Sequence, residues 1–486
     1  MTGPKDLSHF FSEEAKSRKN SPLKSAFKYW GDPNIVFLGG GLPLSDYFPW
    51  TKITAESPAA PFSNGIGAPP KSGEAVITEI HKDGLLNAAN EIPLSRSLQY
   101  GFSEGQPELI KFAKEHTKMI HKIPYEDWDL IATIGSTESW DSVLRTFTNR
   151  GDTIITEEFT FSSALETASA LGVTTYPTPV DDFGIIPEAL DEILDKWVGA
   201  KPKLLYTIPT GQNPTGSSLS KERRVAIYKI AQKHDFIIIE DEPYYFLQMP
   251  EYTTDVSQRK SEAQTHEEFV DSLVPSFISL DVDGRVLRLD SFSKVLGPGL
   301  RFGWVIGQPT LLERILRLHE VSVQAPAGLT QSIVNGLLQR WGQEGYLDWL
   351  IGLRAEYTIR RDATIDAVEK YFPKEISHYN PPVAGMFFTI SFDASKHPKF
   401  ATEYDSDPLK VEAALFDQSV KEGALLIPGS WFKTCGQTNP PQPEVDAKPG
   451  SENTIFFRGT YAAVSLEKID LGLENFSKAV KVQFGL

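Results

Sequence analysis

The sequence predicts an α/β protein built on a mostly parallel, seven-stranded sheet flanked by helices. Short apolar runs bounded by turn residues alternate with longer helical patterns through the middle of the chain, the arrangement that sets a parallel sheet between helical layers. With 486 residues, 40% of them hydrophobic, the chain can bury a sizeable core and exceeds ordinary single-domain size, so one large domain and one smaller one are expected. No internal repeat or heptad run competes with this reading.

Seven apolar runs are the expected strands: 130–134, 153–156, 173–176, 203–208, 236–239, 286–289 and 302–306. Helices fill the gaps. The clearest is Lys221–His234, with Val225, Ile227, Ile230 and Ala231 on one side and Ser220 as its N-cap. From 329 to 371 the pattern is helical with an interruption near Gly342 and Gly345, bridging to a smaller C-terminal domain. That domain has expected strands at 386–390, 424–427 and 454–457 and a closing helix from Leu466. Three stretches read as inserted surface loops: 51–75, rich in Pro, Gly and Ser; 250–268, polar and charged; and 433–453, with Pro440, Pro441, Pro443 and Pro449.

A formal net charge of −16 leaves no basic excess to replace the counterions of a nucleic acid, which is therefore not an expected partner. Cys435 is the single cysteine, which excludes an intrachain disulfide and a cysteine-held zinc; a reducing, cytoplasmic location is expected. The charged first twenty residues lack the apolar core of a signal peptide, and no apolar run reaches membrane-spanning length. The terminal Phe484-Gly485-Leu486 is not a peroxisomal address.

In an open parallel sheet, ligands bind beyond the carboxyl ends of the strands. Ser291-Phe292-Ser293-Lys294 follows the run at 286–289, with Arg301 beyond it. A lysine amine condenses with a carbonyl, and two hydroxyls with a guanidinium suit the dianionic phosphate of pyridoxal phosphate; a solvated loop is the plain alternative. After 236–239 comes Glu240-Asp241-Glu242-Pro243-Tyr244-Tyr245. Asp241 suits a protonated ring nitrogen and Tyr244 a ring oxygen; a charge pair at about 4 Å contributes roughly 4 kcal/mol at an effective dielectric near 20. Three carboxylates also suit a metal, but no matching histidine cluster accompanies them, and none is expected.

After 203–208, the segment Pro209-Thr210-Gly211-Gln212-Asn213-Pro214-Thr215-Gly216 is an ordinary turn signal that also fixes Asn213, whose amide suits a ring oxygen or a carboxylate. After 130–134, Gly135-Ser136-Thr137-Glu138 feeds a helix N-terminus that favours an anion; plain N-capping by Ser136 or Thr137 reads equally well. Phe159 and Phe161, after 153–156, offer aromatic faces to the core or to a planar ring.

Taken in order, Gly-Ser-Thr, an aromatic after the next strand, Asn-Pro-Thr-Gly, Asp-x-x-Tyr and Ser-x-Ser-Lys with a trailing Arg resemble the fold-type I aminotransferases that depend on pyridoxal phosphate (PLP). The resemblance extends to Leu98-Gln99-Tyr100-Gly101, Gly105-Gln106-Pro107-Glu108-Leu109, Gly40-Gly41-Leu42-Pro43 and Phe457-Arg458-Gly459-Thr460-Tyr461, and so covers nearly the whole chain. Within the family, the 2-aminoadipate (kynurenine-type) and fungal aromatic amino acid aminotransferases are the most similar. That likeness rests on residues 37–43, on 240–248 and on Pro428-Gly429-Ser430-Trp431-Phe432.

The resemblance implies a fold like that of aspartate aminotransferase: an N-terminal arm with part of a small α+β domain (1–90), a large PLP-binding domain (91–345) and the rest of the small domain (346–486). It implies Lys294 as the Schiff-base lysine, Asp241 at the pyridinium, and Asn213 and Tyr244 at the ring oxygen. Ser136, Thr137, Ser291, Ser293 and Arg301 would hold the phosphate, with Tyr100 reaching it from the second subunit of a homodimer. Phe161, where relatives often carry Tyr or Trp, would stack on the ring. Arg458 would clamp the substrate carboxylate with Asn213 and the backbone near Gly41, its fork suiting a carboxylate better than lysine would. Lys24 lies where relatives carry an arginine for a distal carboxylate, and Leu42, Tyr47 or Phe387 would line the side-chain pocket.

The implied reaction is ping-pong transamination of Phe, Tyr and Trp, and of 2-aminoadipate and kynurenine, with 2-oxoglutarate as acceptor. A PLP lyase or decarboxylase would share the cofactor residues, and the Arg458 context argues against it. A non-catalytic regulator built on the same domain would need a DNA-binding module ahead of the core, and only about thirty residues precede Asn34-Ile35.

Overall fold

The computed structural model of the chain describes residues 3–21, 34–36, 38, 41–69, 74–83, 90–259, 265–434, 436–443, 445 and 451–486. The strands, in chain order, are β1 (Lys52–Pro58), β2 (Ala75–His81), β3 (Asp129–Thr133), β4 (Thr153–Glu157), β5 (Thr174–Thr178), β6 (Val180–Asp181), β7 (Gly184–Ile185), β8 (Leu204–Thr207), β9 (Ile237–Asp241), β10 (Val286–Ser291), β11 (Gly303–Gly307), β12 (Ser377–His378), β13 (Phe387–Asp393), β14 (Ile427–Pro428) and β15 (Thr454–Thr460). Seven of them form one sheet in the order β3-β11-β10-β9-β8-β4-β5. The pairs β9/β10, β4/β8 and β4/β5 are parallel, and β11 runs antiparallel to both neighbours. Each of the seven expected strands is present, with ends within two residues of those expected. Residues of β8, β9, β10 and β11 are buried along their whole length, as near-continuous apolar runs require when both faces are covered.

The chain divides into two compact units. The first comprises Met1–Asp152, Ile237–Pro243 and Thr265–Gly352. In it, helix Ser136–Phe147 packs on β10 and β11 and against helix Pro309–His319, burying Trp140, Val143, Leu144 and Phe147. The second comprises Thr153–Phe236, Tyr244–Gln264 and Leu353–Leu486. It contains a four-stranded sheet ordered β12-β13-β15-β14. Phe388, Ile390, Phe392, Phe457, Phe476 and Val480 form its core with helices Pro408–Lys421 and Leu466–Phe484.

Helix Lys221–His234 has the expected bounds, and the Ser220 hydroxyl accepts from Arg223 N. The long helix Gly328–Tyr371 is interrupted at Gly342, with φ 65° and ψ −175°, a backbone state that glycine adopts freely.

Three loop and strand expectations are corrected. The stretch 51–75 is not all loop: β1 pairs with β2 along its full length, Lys52 opposite His81 through Pro58 opposite Ala75, because residues 52–58 alternate in burial ahead of the Pro/Gly-rich remainder. The stretch 250–268 gives way to helix His266–Asp271, started by a capping box between Thr265 and Glu268. The strand expected at 424–427 is only Ile427–Pro428. Gly423 N and Ala424 N still donate to Val420 O and Ser419 O at the end of the preceding helix, so they cannot join a ladder.

Candidate active site

In the first unit, β3 ends at Thr133 and Gly135 turns the chain into helix Ser136–Phe147. Gly135, at φ 104°, is itself the N-cap, and no side chain caps the helix. Ser136 and Thr137 are therefore not caps, contrary to one sequence reading: the turn demands a backbone state that L side chains rarely adopt. The Ser136 hydroxyl is left buried without a hydrogen-bond partner. A Cβ at position 135 would stand 2.6 Å from Arg301 Nη2, so the guanidinium lies directly over the helix N-terminus. Arg301 Nη1 donates to Pro298 O at 3.1 Å.

β10 delivers the next groups to the same unit. Ser293 N donates to Ser291 Oγ at 3.0 Å, and the two hydroxyl oxygens are 2.7 Å apart. They shape the one-turn helix Phe292–Lys294. Burial pushes the Lys294 amine below the ordinary lysine value, and the positive charge of Arg301 adds to the effect. Asp241 ends β9, opposite Leu289 of β10, and is buried.

Successive strand residues point to opposite faces, and on the face away from Asp241 the preceding Glu240 joins a buried ionic group. Arg288 bonds Asp290 at 2.8 and 2.9 Å and lies 3.4 Å from Glu240, while Glu240 accepts from Phe277 N and Ile278 N. Burial alone would lower the Arg288 value, but the surrounding carboxylates outweigh it and hold the guanidinium charged.

Hydroxyls, backbone N–H groups of a helix start and a guanidinium, with a lysine beside them, are groups that could hold a phosphate next to an amine. Tyr100 is exposed, as is Gly41. Lys24 lies outside the described residues.

In the second unit, the loop after β8 carries Asn213 and is held from two sides. The Gln212 side-chain nitrogen donates to Glu157 Oε2 and Phe159 O, both at 2.7 Å, and its oxygen accepts from Thr215 N and Thr215 Oγ1, both at 2.8 Å. Arg224, fully buried, donates to Thr210 Oγ1, Pro209 O and Leu219 O. Asn213 Oδ1 in turn accepts from Arg458 Nη1 at 2.8 Å, so the arginine engages the oxygen of the Asn213 amide and not its N–H groups.

Arg458 stands on β15 opposite Thr389 of β13. Its Cζ is 4.5 Å from the Phe387 ring centroid and 4.6 Å from that of Phe432. Burial lowers its value from the ordinary one, with the Tyr244 phenol acting the other way. Phe387 also meets the edge of Tyr244, with centroids 5.9 Å apart and rings at 85°. Phe161 precedes helix Ser162–Ala170 as its N-cap.

Of the residues expected in the apolar side-chain pocket, Phe387 is buried against Arg458, whereas Tyr47 is 83% exposed. Gln212, Glu157, Arg224 and Phe432 were not singled out from the sequence. Gln212 and Phe432 lie inside motif segments, so only their roles were hidden. Arg224 sits in the charged run Lys221-Glu222-Arg223-Arg224, where nothing distinguishes a buried arginine from a solvated one.

The family model described as aminotransferase class I and II matches residues 81–475. An aromatic amino acid aminotransferase of Schizosaccharomyces pombe is 43% identical over 99% of this chain and 99% of its own length. An L-tyrosine:2-oxoglutarate aminotransferase of Tapinella panuoides is 30% identical over 99% of this chain and 97% of its own. Among solved structures, the aminotransferase Aro8 from Candida albicans superimposes with a TM-score of 0.96 at 60% identity, covering 100% of both chains.

Proposed function

The chain belongs to the class I and II aminotransferases, and from that membership we propose that it exchanges the amino group of aromatic amino acids with a 2-oxo acid in a ping-pong course. The cofactor is pyridoxal phosphate. The residues present fit it: the buried, unpartnered Ser136 hydroxyl and the Arg301 guanidinium over Gly135 are what a phosphate dianion requires. Bound PLP supplies an aldehyde for amino groups and a ring that withdraws electrons from the α-carbon.

The chain's own residues do the rest. Ser136, Thr137, Ser291, Ser293 and Arg301 hold the phosphate, with Tyr100 of a second subunit in a homodimer. Asp241 keeps the ring nitrogen protonated, and Asn213 and Tyr244 donate to the ring oxygen. Phe161 covers the ring. Arg458 pairs with the substrate carboxylate, aided by Asn213 and the backbone at Gly41. Lys294 would hold the cofactor through its amine and, with that amine free, would take the substrate α-proton at Nζ and deliver it to the carbon beside the ring.

The observation that carries this reading is Lys294 itself, half-buried beside Arg301 with its amine pushed toward the neutral form a base needs. The donor class is supported by end-to-end likeness to aromatic amino acid aminotransferases. We further propose 2-aminoadipate and kynurenine as donors, Lys24 as the cation for a distal carboxylate, a cytoplasmic location, and domains at 1–90, 91–345 and 346–486. Among the described residues, no helix is long and apolar enough to cross a membrane.

The test is a donor panel of phenylalanine, tyrosine, tryptophan, kynurenine, 2-aminoadipate and aspartate with 2-oxoglutarate as acceptor. Aromatic donors are expected to give the highest kcat/KM, and aspartate leading the panel would refute the assignment. Lys24→Ala is expected to raise KM for 2-oxoglutarate and 2-aminoadipate while sparing phenylalanine.

A further inference from the structure

We infer that Phe387 and Phe432 are positioning residues that fix the plane of the Arg458 guanidinium, so that only its in-plane edge meets a substrate carboxylate. This deepens, and rests on, the assignment of Arg458 as the carboxylate clamp. The guanidinium carbon is 4.5 Å and 4.6 Å from the two ring centroids. Two rings so close to one atom cannot share a volume, so they bound the cation from two directions. Each attracts it through the negative face of its π-system. All five N–H groups of arginine lie in the guanidinium plane. One of them is committed to Asn213 Oδ1, and Nε–H is buried without a hydrogen-bond partner. Ring faces supply no acceptor of oxygen quality, so the remaining donors are directed at a ligand rather than satisfied by the fold.

The segments that carry the two rings are held by contacts that do not depend on the arginine. Phe432 closes the one-turn helix Gly429–Phe432, and its carbonyl accepts from Thr160 N at 2.9 Å. The same turn is tied to helix Pro408–Lys421 by the buried Glu412, whose carboxylate accepts from the Ser430 hydroxyl and from Ser430 N. Next to the turn, Thr434 N donates to Glu158 O at 2.8 Å. A Cβ on Gly429 would stand 2.5 Å from the Phe456 ring, so the turn cannot shift toward β15. Phe387 opens β13, paired with Thr460, and is braced by the edge of Tyr244. Phe432 is the better probe because Phe387 also touches a proposed cofactor residue.

The PLP-loaded enzyme is titrated with 3-phenylpropionate, which has the carboxylate but no reactive amine, and with the neutral 3-phenylpropanol, binding being read from the cofactor's visible absorbance. Phe432→Leu is expected to weaken 3-phenylpropionate by about 5- to 30-fold, the range between an exposed and a desolvated cation–π contact. It should leave 3-phenylpropanol within about twofold, and Phe432→Tyr, which keeps the ring face, should restore carboxylate binding. In turnover, KM for phenylalanine and 2-oxoglutarate is expected to rise together with kcat held. Phe432→Met, which keeps the volume and drops the ring, reads the same quantity if the leucine variant does not fold. Equal weakening of both ligands would make Phe432 a wall of the apolar pocket and overturn the proposal, as would unchanged carboxylate affinity. Arg458→Lys separates the underlying assignment: if it leaves 3-phenylpropionate binding intact, Arg458 is not the clamp, whatever Phe432 does.

Discussion

The proposed phosphate cradle and the proposed carboxylate clamp are built by different means. In the cradle, backbone geometry does most of the placing: a glycine at φ 104°, a helix start, and a one-turn helix pinned by two serines, three positions and one position before the lysine. Its cation, Arg301, is exposed and lies over a residue with no side chain. In the clamp, side chains from well-separated segments converge on one arginine: Asn213 is 245 positions away in sequence, and Phe387 and Phe432 come from two further elements. A backbone-built site is sensitive to conformational freedom, whereas a side-chain-built site is sensitive to shape and to which rings face the charge.

The expected effects follow that contrast from largest to smallest. Lys294→Ala should lower the half-reaction with phenylalanine by about 10²- to 10⁴-fold or more, the contribution of a positioned proton-transfer group, measured by stopped-flow absorbance. Arg458→Ala should raise KM for every α-carboxylate substrate by about 10- to 100-fold, as lost charge-assisted hydrogen bonds imply. An effect confined to dicarboxylates would break the pairing of Arg458 with the shared carboxylate. Gly135→Ala places a Cβ 2.6 Å from Arg301 at a φ that L residues avoid, and strain of roughly 1–3 kcal/mol should weaken PLP by about tenfold or more in an equilibrium titration. Gln212→Ala frees the Asn213 loop from Glu157 and Phe159 and should raise KM only a few-fold, about what one neutral hydrogen bond contributes.

The smallest effect is in pH. Protonation of Lys294 blocks condensation, so cofactor uptake by the apoenzyme should rise with pH and level off below the ordinary lysine value of 10.5. The folded value lies below the unfolded one, so protonation opposes folding; that cost is fully present at low pH and is relieved as pH rises from the depressed value to the ordinary 10.5. Arg301→Gln should move the plateau upward, because the guanidinium is one of the two causes of the shift.

The same contrast decides what was legible in the sequence. The strands of the seven-stranded sheet were readable because Ile237-Ile238-Ile239 and Val286-Leu287 have no alternative to burial. The cradle was readable because its chemistry is local: Ser291, Ser293 and Lys294 adjoin, and Gly135 sits beside Ser136. Arg458 was recognisable only by family resemblance, since its partners are distant in sequence. The rings of Phe387 and Phe432 look like any core aromatics until the guanidinium is seen between β15 and its neighbours. β1 was hidden because prolines and glycines after Pro58 dominate the composition of its segment.

The most direct measurement is a single half-reaction: PLP-loaded protein mixed with L-phenylalanine in the absence of any 2-oxo acid, following the visible cofactor band and the keto acid released. We expect the band to decay with one equivalent of phenylpyruvate formed per subunit in the native protein, and neither change in Lys294→Ala. Failure of the native protein to form phenylpyruvate, or conversion by Lys294→Ala at the native rate, would contradict the assignment.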